Sequence, residues 1–166
     1  MKKTLLFVLV TMLFVDLSIA QNPKNMSQTS SPKFAELSKE DAARLEKQRH
    51  LIAVIAMQKY GAPALTKTKS DLPILQRILD DKVFKKSQTY ELQCLGITFG
   101  DVLASEFPLR WVMVTDEYGT DPTLRFKETT WQINALTMIS KRVEKGEIVN
   151  LAELVRLTGE YVKKYQ

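Results

Sequence analysis

Leu109-Arg110-Trp111-Val112-Met113-Val114-Thr115, followed by Asp116-Glu117-Tyr118-Gly119-Thr120-Asp121-Pro122 and then Thr123-Leu124-Arg125-Phe126-Lys127-Glu128-Thr129-Thr130-Trp131, is the stretch on which the fold class turns. Its first part is aromatic and β-branched, which favours a strand. Its middle is dense in turn formers, and its last part alternates as a returning strand would. The reading is a β-hairpin with its turn over 116–122. A lone hairpin is marginal in water, so this one has to pack on other elements. Everything around it reads as helix. The expected fold class is therefore α+β: mostly helical, about five helices, with a small antiparallel β-hairpin after the third. No internal repeat is present.

Upstream of the hairpin, a third helix is expected over about 88–106, capped by Ser87. Leu92, Leu95, Phe99, Val102 and Leu103 form its apolar stripe. Gly96 and Gly100 lie on an adjoining face. Each glycine costs a helix interior about 1 kcal/mol relative to alanine, so a close backbone approach is expected there, with the hairpin as the neighbour. The first helix begins at Ser38, with Asp41 completing an approximate capping box, and ends at Gly61. Its second half, Leu51 to Met57, is apolar on every face, which predicts central burial. A short second helix starts near Asp71, with Pro73 in its first turn. After the hairpin, Asn134 and Asn150 are N-caps of two final helices, the former ending at Gly146.

The N-terminus carries a different signal. Met1-Lys2-Lys3 is positive, Thr4 to Val15 is apolar, and Ser18-Ile19-Ala20 places small residues before a cleavage point. That order is the signature of a secretory signal peptide, and the apolar run falls short of the roughly 20 residues that span a bilayer. No cysteine follows it to carry a lipid. The expected division is a signal peptide over 1–20, a disordered leader over 21–36 and a single globular α+β domain over 37–166. The leader, with sequence QNPKNMSQTSSPK at its start, is too polar to offset its ordering entropy. Cleavage leaves 146 of the 166 residues and lowers the net charge from +5 to +4. The expected location is the bacterial periplasm or the medium, with no stable membrane insertion after cleavage.

Catalytic groups are sparse. Cys94 is the single cysteine, so no intramolecular disulfide can form, and its apolar surroundings predict burial. His50 is the single histidine, which excludes the familiar Cys/His zinc sites. No phosphate loop, dinucleotide fingerprint or Gly-x-Ser-x-Gly elbow occurs. No cofactor and no metal is expected. The lysines and arginines alternate with acidic residues, so nucleic acid is not an expected partner. The densest polar cluster is the hairpin turn. Asp116, Glu117, Tyr118 and Asp121, with Trp111 on the preceding strand, are the candidate functional surface.

The run Leu95-Gly96-Ile97-Thr98-Phe99-Gly100-Asp101-Val102-Leu103, the pair Trp111-Val112, the turn Asp116-Glu117-Tyr118-Gly119-Thr120-Asp121 and the later Lys141-Arg142-Val143-Glu144-Lys145-Gly146-Glu147 resemble the bacterial family of the domain of unknown function 3806. The resemblance spans about residues 85–160. It departs from the family at Trp131-Gln132-Ile133-Asn134, where a proline-bearing entry to the penultimate helix is expected. It supports the fold and implies no activity. The functional expectation is a small exported module that binds another envelope or secreted protein, in the manner of an inhibitor or immunity protein. The alternatives are a carboxylate-dependent envelope hydrolase and a structural envelope protein without a discrete site. The discriminating feature is shape: a concave pocket around the turn favours the enzyme, a convex tip favours binding.

Overall fold

Residues 31–165 are described by a computed structural model of the chain. The signal peptide expected at 1–20, and the leader up to residue 30, lie outside the described residues. Among those described, the order is β1 (Lys33–Ala35), α1 (Lys39–Tyr60), α2 (Leu72–Asp80), α3 (Thr89–Glu106), β2 (Leu109–Asp116), β3 (Gly119–Phe126), β4 (Gln132–Ile133), α4 (Ala135–Met138), α5 (Ser140–Lys145) and α6 (Leu151–Lys163). Ile139 keeps right-handed helical backbone between α4 and α5, so the two are one interrupted helix. The fold is α+β and mostly helical, as the sequence predicts.

The helix ends follow the chemistry of their caps. The Ser38 hydroxyl accepts the Asp41 N–H at 3.0 Å while Asp41 reaches back to the Ser38 N–H at 3.4 Å, which closes the capping box. Gly61 ends α1 at φ 61°, a left-handed angle that glycine adopts without a Cβ penalty. Asn134 and Asn150 accept the N–H groups of Thr137 and Glu153. The cap expected at Ser87 is displaced by one residue: Gln88 occupies the position, and its side chain accepts the Lys85 N–H instead.

α3 is the axle of the domain. Leu92 and every residue from Cys94 to Leu103 is buried. Gly96 and Gly100 are where other elements come closest. A Cβ on Gly96 would lie 2.5 Å from the carbonyl oxygen of Ala135 and 2.6 Å from that of Leu136. A Cβ on Gly100 would lie 2.5 Å from the Trp111 ring and 2.9 Å from the Ala135 Cβ. The close approach is thus made by α4 at both glycines, joined at Gly100 by Trp111 of the hairpin. α1 is less deeply set than its composition predicts: Ile52 and Ala56 are buried, but Met57 is 57% exposed. Only one stripe of that apolar half meets the core.

The sheet is wider than a hairpin. Its order is β1-β2-β3-β4, antiparallel throughout. Lys33–Ala35, expected within the disordered leader, is an edge strand: Phe34 pairs opposite Val114, and Arg125 lies over the Phe34 ring at 4.4 Å. The cation over the ring and the strand pairing both offset part of the cost of ordering this short segment. The turn is also tighter than expected. Asp116 pairs with Gly119, and the returning strand starts there rather than at Thr123. Pro122 sits inside β3 opposite Met113, at a position that β4 does not reach; an edge position is where a missing N–H is tolerated. The segment Trp131–Asn134, which departs from the family pattern, forms β4 and the cap of α4.

Candidate functional site

The sheet register leaves Glu117 and Tyr118 as a two-residue loop at the end of the hairpin. The Asp116 carboxylate accepts the Tyr118 N–H at 2.8 Å, the local bond by which aspartate shapes turns. Gly119 completes the reversal at φ 133°. Tyr118 is 87% exposed, and the neighbouring Glu117 carboxylate holds its phenol above the ordinary pKa. Asp121 is exposed on β3 beside this loop. Four of the five candidate residues therefore share a convex tip. Trp111 does not join them. It lies five positions along β2, about 16 Å away at strand spacing, half-buried against α3.

What Trp111 does instead exposes two residues that sequence reasoning passed over. Its indole N–H donates to Asp101 at 2.8 Å. Asp101 is 6% exposed and also accepts a fork from Arg49, Nε at 2.6 Å and Nη2 at 2.8 Å. One carboxylate thereby joins α1, α3 and β2. Burial works against the Arg49 charge, but hydrogen bonding and charge attraction from Asp101 outweigh it, and the guanidinium pKa is raised. A bidentate carboxylate with a third donor has little left for proton transfer; it locks the three elements together. The available signal was an aspartate inside an apolar helical run, Gly100-Asp101-Val102-Leu103. The other buried carboxylate, Asp71, is occupied in the same way, accepting from the Thr66 N–H and hydroxyl and from the Lys67 N–H.

Nucleophilic chemistry finds no support in the geometry. Cys94 is buried beside Tyr90 and Gln48, and burial pushes its thiol above its ordinary pKa. His50 is exposed on α1, so the two are not paired. Among the described residues no cluster of three or more His, Cys, Asp or Glu side chains could hold a metal, and no helix is long and apolar enough to cross a membrane.

A concavity does exist, on a different part of the fold. A groove of about 610 Å³ runs between the segment that follows α2 and the end of α5. Its lining is apolar at Leu79, Phe84, Val143 and Val149; Asp80, Lys82, Lys85 and Lys86 line one side, and Glu147 and Ile148 the other. No residue of the hairpin tip contributes to it.

Residues 71–154 match the family model described as a domain of unknown function, number 3806. The fold is similar to a crystal structure of a protein from Bacteroides thetaiotaomicron VPI-5482, at a TM-score of 0.72 and 15% sequence identity, over 83% of this chain and 51% of the other. The chain thus spans about half the length of that protein, and the likeness concerns the fold alone. None of the curated proteins compared matches.

Proposed function

From the chain's membership of the family of the domain of unknown function 3806, whose matched segment contains the whole hairpin, we propose that this protein is an exported binding module that engages a partner protein through the hairpin tip. The observation that carries the reading is the shape of the tip. Tyr118, 87% exposed, projects from a two-residue loop with carboxylates on either side, and the groove between α2 and α5 lies elsewhere. Tyrosine suits such a role because it offers a large amphipathic contact with few rotatable bonds. The carboxylates give the contact a sign and favour a basic partner surface. Export rests on the N-terminal sequence signature, and the partner is accordingly an envelope or secreted protein.

The test is capture by tagged protein beginning at Gln21 from envelope and secreted fractions of the producing cells, with the Tyr118→Ala, Asp121→Ala double variant in parallel. The expected result is a stoichiometric partner retained by the parent and lost by the variant, at unchanged thermal midpoint. A partner that the variant retains removes the tip as the site. No stoichiometric partner at any salt concentration overturns the binding role.

A further inference from the structure

We propose that the groove beside α5 is a second binding site, and that its occupant is an acidic peptide segment of a partner protein carrying one large apolar side chain. The argument begins with charge. Lys82, Lys85 and Lys86 stand on one stretch of chain along the groove, and among the described residues none of the three has a carboxylate within ion-pair distance. The three ammonium groups outnumber the two carboxylates of the lining, Asp80 and Glu147, and give the groove a net positive edge beside an apolar surface, which is complementary to an acidic segment with an apolar anchor.

The end of α5 supports the same reading. Lys86 extends over the end of α5, where its Nζ would lie 2.7 Å from a Cβ on Gly146, so the absence of a side chain at Gly146 makes room for that ammonium at the groove. Ile148, on the opposite side, is 96% exposed and lengthens the apolar surface outward.

The groove is also held open in advance. The Gln76 side chain donates to the Val149 carbonyl at 3.0 Å and accepts the Leu151 N–H at 2.9 Å, bridging α2 to the segment before α6. The Thr89 hydroxyl donates to Glu144 at 2.8 Å, tying the start of α3 to α5. Walls fixed by such bonds need little ordering on binding, which favours affinity from a small contact.

Fluorescence anisotropy of the full chain with a labelled hexapeptide of glutamate and aspartate around one central phenylalanine tests the proposal. The expected result is saturable binding that weakens with added salt and falls about tenfold or more in a Lys82→Glu, Lys85→Glu, Lys86→Glu variant. Replacing the phenylalanine by serine should also lower affinity, and Tyr118→Ala should leave it unchanged, which separates this site from the hairpin tip. The lysines lie at the surface; retention of the parent's circular dichroism by the triple variant excludes unfolding as the cause. Absence of saturable binding, equal affinity of the serine peptide, or full binding by the lysine variant would each overturn the proposal. So would a self-associating protein whose second copy fills the groove and excludes the peptide.

Discussion

Replacing Asp101 by asparagine changes the charge at the junction of α1, α3 and β2 while conserving size. Three donors converge on this carboxylate: the Nε and Nη2 of Arg49 and the indole N–H of Trp111. An amide has one oxygen for them, and its NH₂ must then face one of the donors. At least one hydrogen bond involving a charged group is lost, about 1.5–3 kcal/mol by itself. Arg49, whose side chain is 15% exposed, keeps only Glu46, at 3.5 Å, as a charged partner. Breaking a fully buried pair costs about 3–5 kcal/mol, and the partial access of Arg49 to water lowers that. We expect Asp101→Asn to lose about 2–4 kcal/mol in urea unfolding, a large share of the roughly 5–15 kcal/mol by which domains are stable. Tryptophan fluorescence, from Trp111 and Trp131 together, follows the transition. A cycle with Arg49→Met and the double variant should give a coupling energy of about 1–3 kcal/mol. A loss below about 1 kcal/mol at unchanged denaturant slope, or additivity of the two substitutions, refutes the account of Asp101 as a lock.

Two further outcomes follow from the buried helix. Gly96→Ala gains about 1 kcal/mol of helix propensity, but its new methyl meets the Ala135 and Leu136 carbonyl oxygens at 2.5 and 2.6 Å. These are backbone atoms that cannot rotate away, so the urea midpoint should fall; a rise would refute the close approach. Cys94, raised above its ordinary value of 9.0 by burial, stays protonated in the native state at pH values where the unfolded thiol ionises. The stability it contributes is fully present below about pH 9 and is lost as pH rises through the native pKa. Urea midpoints across that range should fall more steeply for the parent than for Cys94→Ala, and equal slopes would show that the thiol is not desolvated.

Those expectations also mark where sequence reasoning succeeds. The caps at Ser38, Asn134 and Asn150, the stop at Gly61 and the demand made by Gly96 and Gly100 are local or nearly so, since a helix interior penalises glycine wherever it lies. What was missed depends on partners remote in sequence. Lys33–Ala35 has the composition of a leader, and only pairing with β2, some eighty residues on, makes it a strand. Pro122 looks like a turn residue until the extent of β4 shows that its side of β3 is open. Trp111 reads as a surface aromatic because its acceptor, Asp101, is itself ambiguous in sequence.

The same distinction separates the two candidate sites. The hairpin tip was legible because its four residues are contiguous or nearly so, and turn chemistry keeps them at the surface. The groove draws one wall from 79–86 and the other from 143–149; read singly, its lysines are an ordinary solvated connector. Their meaning comes from what faces them, and that facing is set by Gln76, a residue with no chemistry of its own to attract notice. The matched segment 71–154 contains both sites, yet Arg49 and β1, which brace α3 and the sheet, lie before it. The surfaces that could recognise a partner are thus carried within the family segment, whereas part of what holds them in position is supplied from outside it.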